Sequence, residues 1–147
     1  MAFLIDTNVL LRNVQPHHPM HSSGVSAIRI LLARDEDLCI VPQNIIEFWN
    51  VCTRPVESNG LGMTAAQAEA EVREIERIFS MRLDRAQMYQ EWRRLVANYA
   101  VKGVKVHDAK LVASMLVHGL THILTFNFRD FARYSEVTAV HPDDVQD

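Results

Sequence analysis

The stretch Ala2-Phe3-Leu4-Ile5-Asp6-Thr7-Asn8 decides the fold. An unbroken apolar run without polar alternation predicts a strand buried on both faces, and Asp-Thr-Asn then stops it with turn-forming side chains. The same pattern recurs along the chain. Leu38-Cys39-Ile40-Val41 ends at Pro42, His122-Ile123-Leu124-Thr125-Phe126 ends at Asn127, and a weaker Thr138-Ala139-Val140 precedes His141-Pro142. Between these runs the apolar period is helical. Ile28, Leu31 and Leu32 follow Ser22-Ser23, and Thr64-Ala-Ala-Gln67 is a capping box opening a helix with Ala68, Val72, Ile75 and Phe79 on one stripe. Met88, Trp92, Leu95, Val96 and Tyr99 give the next helix, and another starts at Asp108 and stops at Gly119. Continuous apolar strands separated by helices predict a three-layer α/β/α domain with a mostly parallel central sheet.

A chain of 147 residues and 16.8 kDa has room for one domain, residues 1–147, and buries enough surface to fold without a staple. Its hydrophobic content of 48% and charged content of 22% are those of a globular protein and exclude collagenous or disordered chains. No apolar run approaches the ~20 residues of a membrane span, and the start lacks the basic region of a signal peptide. The expectation is a soluble cytoplasmic protein whose cysteines, Cys39 and Cys52, are buried thiols. A net charge of −3 and a pI near 6.1 argue against tight, non-specific duplex binding through a broad basic surface. The balance hides an asymmetry: Arg93, Arg94, Lys102, Lys105 and Lys110 face one acid, Asp108, in their stretch, whereas the tail after Tyr134 holds acids and no Lys or Arg.

In open α/β sheets ligands bind beyond the carboxyl ends of the strands, where three acids are expected. Asp6 follows the first strand, Asp108 opens a late helix, and Asp130 lies four residues past the third strand. Each has an ordinary reading alone, as a turn former, a helix cap worth about 0.5–2 kcal/mol and a solvated loop charge. Together they are costly, because two carboxylates about 4 Å apart repel by roughly 4 kcal/mol near an effective dielectric of 20. A fold gathers several only where a cation neutralises them. Hard carboxylates with Asn and hydroxyl neighbours suit Mg²⁺ or Mn²⁺, and such sites perform in-line phosphoryl chemistry. Glu47, on a helix starting at Pro42, points away from the stripe of Ile45, Phe48, Trp49 and Cys52, beside Asn44, Val51 and Arg54. It matters only if this helix flanks the acidic edge.

These residues together resemble the PIN domain. The resemblance rests on Asp6-Thr7-Asn8 after the first strand, Glu47 on the helix after the second, His107-Asp108-Ala109, and Thr125-Phe126-Asn127-Phe128-Arg129-Asp130-Phe131. It covers essentially the whole chain and is closer still to the single-domain VapC-type toxins of toxin–antitoxin pairs. It implies a Mg²⁺- or Mn²⁺-dependent endoribonuclease, usually dimeric and restrained by a cognate antitoxin. The catalytic acids it implies are Asp6, Glu47 and Asp108, with Asp130 in the fourth position and Asn127 supporting it. Asp6 and Asp108 would ligate the main metal, with Asp130 among the metal ligands; Glu47 and Asp130 would complete the site, orient water or hold a second ion. Thr7, Asn8 and Thr125 would support the carboxylates or the attacking water, the 3′ oxygen of the RNA phosphodiester leaving in line.

Arg12, Arg54, Lys102 and Lys105 are the expected phosphate contacts. His17-His18-Pro19-Met20-His21 tempts a zinc reading, but Pro19 breaks the helix such a pair needs. Met81, Met88 and Met115, with Trp49 and Trp92, are expected in the core, and His107 as a structural residue. Two rivals stand beside the nuclease. An aspartate-dependent phosphatase needs a second Asp where this chain has Asn8. A non-catalytic RNA- or protein-binding module is favoured by Asn127 and disfavoured by retention of all four acids.

Overall fold

In the computed structural model, which describes residues 1–147, the first strand β1 runs Ala2–Ile5 and passes directly into a short helix α1, Thr7–Asn13. Helix α2 (His21–Ala33) leads to β2 (Asp37–Ile40), then α3 (Pro42–Thr53), α4 (Ala65–Ile78) and β3 (Ser80–Met81). Helices α5 (Gln87–Asn98) and α6 (Lys105–His118) precede β4 (His122–Leu124), α7 (Phe128–Ala132) and β5 (Thr138–Val140). All four strand pairings are parallel, in the order β3-β2-β1-β4-β5. No helix is long and apolar enough to cross a membrane.

Successive side chains of a strand point to opposite faces, and this divides the core in two. Phe3, Ile5, Leu38, Ile40 and Leu124 pack with α1, α2, α3 and α4 on one face. Leu4, Cys39, Val41 and Ile123 pack with α5, α6 and α7 on the other. Both cysteines are buried free thiols, and burial raises each to a pKa of about 11. The three-layer α/β/α architecture is the one the apolar runs imply, with a sheet that is parallel throughout.

Several boundaries differ from the sequence expectation. Thr7 and Asn8 are the first residues of α1, with Asp6 as its N-cap, and form no separate turn. Helix α6 starts at Lys105, three residues before Asp108. Turn bonds from Lys105, Val106 and His107 to Lys102, Gly103 and Val104 wind this extra turn, and the indole N–H of Trp92 donates to the Val106 carbonyl at 2.9 Å. Asp130 lies in α7 and is no loop charge. The third apolar run stops pairing as β4 at Leu124, while Thr125 adds one further bond to the Val140 carbonyl. The edge strand β3 is only two residues long, too short for any periodicity to reveal.

After α5 the chain turns through Ala100 at φ +49°. That left-handed conformation brings Cβ against the following carbonyl and costs an L-residue about 1–2 kcal/mol. Replacing Ala100 with glycine should therefore stabilise the fold by about 0.5–1 kcal/mol, net of the entropy glycine loses on folding. The thermal midpoint should rise by roughly 1–4 °C in a chain of this size; an unchanged or lower midpoint would show that the turn carries no such strain.

Candidate active site

The connections from β1 to β2 and from β3 to β4 leave on opposite sides of β1. This is the topological switch at which an open parallel sheet forms a crevice beyond its carboxyl ends. Asp6 stands at that point. Its backbone N–H still pairs with the Leu124 carbonyl of β4 at 3.0 Å, and its own carbonyl accepts from Val9 and Leu10 to open α1. The carboxylate is 7% exposed. Oδ1 accepts from the Thr7 N–H at 2.7 Å and Oδ2 from the Thr125 hydroxyl at 2.7 Å.

Thr125 is fully buried and serves three groups. While donating to Asp6, its hydroxyl accepts from the Asn127 N–H at 2.9 Å and the Asn8 side-chain amide at 3.4 Å. Asn8 Oδ1 in turn accepts from the Phe126 N–H at 3.3 Å. Asn8 thus ties α1 to the segment after β4, a structural task that leaves no second acid for phosphatase chemistry. Asn127 is the N-cap residue of α7, and its backbone N–H is what reaches Thr125.

Glu47 is half-buried and held from two sides. The Thr7 hydroxyl donates to Oε1 at 2.8 Å, and Gln43 Nε2 donates to Oε2 at 3.1 Å. Helix α3 therefore does flank the acidic edge. The helical wheel misplaces Asn44, which is fully buried, not outward-facing. Its Oδ1 accepts from the Val41 N–H at 2.9 Å, and its Nδ2 donates to Thr7 Oγ1 at 3.1 Å. Gln43 also donates to the His107 carbonyl at 2.9 Å, joining α3 to the first turn of α6, where Asp108 sits. Gln43 and Asn44 are the residues that sequence reasoning missed. The available signal was their place at the first turn of a helix directly after a strand.

The acids act on one another electrically. Burial pushes Asp6 from its ordinary 3.8 up to about 7, with Asp108 and Glu47 adding repulsion against the lowering effect of the two hydrogen bonds. Burial likewise raises Asp108 to about 6, with Asp130 and Glu47 adding to it and Lys105 opposing. Asp130 already has a cation, because Lys105 Nζ lies 2.7 Å from its Oδ1. No three His, Cys, Asp or Glu side chains form a ready-made metal cage. The donor chemistry nevertheless suits a hard divalent ion: Asp6, Glu47 and Asp108 share a region with no direct basic partner, and the buried Asp6 is charged only at a cost.

The other three expected basic contacts pair with no candidate acid. Arg12 donates to Gln15 Oε1 at 2.7 Å, just past the end of α1, and Arg54 donates to the Asn59 carbonyl at 3.0 Å across the turn after α3. Lys102 is exposed. Lys105 is the one of the four whose charge is engaged with a candidate acid.

These shifts fix a sign. A carboxyl whose folded pKa is raised stabilises the native state fully below the unfolded value near 3.8, and the contribution is lost as pH rises through the folded value. Without divalent cations, the protein should therefore lose stability between about pH 4 and pH 7, where the unfolded carboxyls are ionised while Asp108 and Asp6 hold their protons up to about 6 and 7. Asp108→Asn should blunt that slope and raise metal-free stability at pH 8 by about 1 kcal/mol, a figure reduced for partial exposure. Thermal melts in EDTA across this range test it; a flat profile, or destabilisation by Asp108→Asn at pH 8, would mean that the acids are dispersed.

The sequence model of the PIN domain matches residues 3–137. Among curated proteins none matches the chain. Solved structures similar to it include VapBC2 from Rickettsia felis bound to a promoter DNA fragment, at 12% identity and a TM-score of 0.70 over 96% of this chain and 98% of that one. A toxin–antitoxin complex from Klebsiella pneumoniae has 21% identity and a TM-score of 0.65 over 95% and 96%. Mycobacterium tuberculosis VapC20, a sarcin–ricin-loop-cleaving toxin, has 20% identity and a TM-score of 0.66 over 92% and 98%. The topology is common to them, and with the match spanning nearly the whole sequence, this chain belongs to the PIN-domain family.

Proposed function

We propose that this protein is a Mg²⁺- or Mn²⁺-dependent endoribonuclease and the toxin of a toxin–antitoxin pair. The observation that carries the reading is the buried Asp6 carboxylate, fixed by Thr7 and Thr125 at the switch point and repelled by Asp108 and Glu47. Asp6 and Asp108 would hold the ion, with Asp130 joining them once released from Lys105. When bound, the ion supplies charge neutralisation and activation of water for in-line attack on a phosphodiester.

The chain's own residues do the positioning. Thr125 and the Thr7 N–H take one lone pair on each Asp6 oxygen and so fix the direction of the rest. Glu47, anchored by Thr7 and Gln43, is oriented to accept a proton from water or align it. Lys105, when it leaves Asp130, provides a cation beside the cleft for a phosphate oxygen. The solved neighbours include toxin–antitoxin assemblies and an RNA-cleaving toxin, which supports an RNA substrate and an antitoxin partner here. Homodimerisation and a cytoplasmic location belong to the same proposal.

Purified protein should cleave a mixed-sequence fluorogenic RNA with Mg²⁺ or Mn²⁺ and not with EDTA. Asp108→Asn, purified identically, should lose roughly 100-fold or more of the rate. Equal cleavage by the variant would assign the activity to a contaminant, and absence of cleavage by the wild type would contradict the nuclease.

A further inference from the structure

We infer that the hollow against Tyr89 and Trp92 is a nucleobase subsite for single-stranded RNA, reached along a groove that starts beside Glu47. The inference rests on the nuclease reading and adds a path for the strand. A groove of about 540 Å³ begins beside Glu47 and His107 and ends at Asp84 and Lys110. Those same two residues line a second hollow of about 250 Å³, whose wall is Met88, Tyr89 and Trp92 with Arg85 at its edge. Only a loose ion pair stands where the two meet, Lys110 Nζ lying 3.7 Å from Asp84 Oδ1.

The aromatic wall has what a base needs. Tyr89 is 61% exposed and so is accessible to a ligand entering the hollow. Trp92 is fixed in place by its bond to the Val106 carbonyl, and the two ring centroids are 6.3 Å apart at 33°. Base–aromatic stacking is tolerant of sequence and works only on unpaired bases. Three basic side chains and one acid, Asp84, border it. Arg93 donates to the Tyr89 hydroxyl at 3.3 Å, Lys110 lies at the junction, and Arg85 is exposed with no acid on it. Neighbouring Arg94, by contrast, is consumed by Glu91 and Glu136. Ring faces mixed with cations suit a base and its phosphate better than the apolar face of a protein helix. With a pI near 6.1 this local patch favours a single strand over a duplex.

The test compares wild type, Tyr89→Ala and Tyr89→Phe in Mn²⁺-dependent cleavage of a mixed-sequence RNA. Binding of a labelled single-stranded 12-mer is followed in parallel by anisotropy in Ca²⁺. Tyr89→Ala should raise KM and weaken binding by roughly 5- to 100-fold while kcat is kept, and Tyr89→Phe should stay near wild type. An abasic nucleotide scanned along the 12-mer should weaken wild-type binding at one position and have no further effect there in Tyr89→Ala. Unchanged KM and binding in Tyr89→Ala would overturn the subsite and leave the nuclease intact. Absence of wild-type cleavage would refute the nuclease, and the binding arm would then decide the subsite alone. Absence of wild-type binding would overturn the subsite.

Discussion

The hydrogen bond from the Thr125 hydroxyl to Asp6 Oδ2 joins the ends of two adjacent strands at the place where the sheet reverses its winding. The site depends on it. Asp6 is almost fully buried, so each oxygen must be satisfied, and the fold supplies one donor from the next backbone N–H and one from across the sheet. Through Thr125 the same bond reaches Asn127 and Asn8, and through Thr7 it reaches Glu47 and Asn44. Two threonines thus organise the carboxylates of Asp6 and Glu47. Removing either hydroxyl would leave buried groups without partners, a loss of about 1–3 kcal/mol each.

The electrostatics give this network its direction. Burial, more than repulsion, raises Asp6 and Asp108, so the protein holds its acids partly protonated near neutrality. A divalent cation would reverse that preference by favouring the ionised forms. Asp130 is treated differently, since Lys105 from the first turn of α6 supplies its counter-charge internally. Asp130 thus carries an internal counter-charge that Asp6, Glu47 and Asp108 lack.

The sheet and its layers were legible because β1, β2, β4 and β5 are continuous apolar runs ended by turn formers. Asp6, Thr7, Thr125 and Asp108 were legible for the same reason, lying where a strand ends or a helix begins. What escaped depended on tertiary packing. Asn44 was assigned outward because a polar residue on a wheel is taken for a solvated one, whereas here it fills a buried gap between Val41 and Thr7. The Lys105–Asp130 pair joins residues on separate helices, and no local pattern encodes it. The early start of α6 depends in part on Trp92 holding the Val106 carbonyl, again a contact between helices. Edge strand β3 is formed by pairing with β2 and not by its own two residues.

The most direct test of the account is the position of a bound ion. Crystals grown with Mn²⁺ should give an anomalous difference peak held by the carboxylates of Asp6 and Asp108, absent when Asp6 is replaced by asparagine. A peak elsewhere, or none at millimolar Mn²⁺ at pH 8, would contradict the claim that these acids converge to hold a cation.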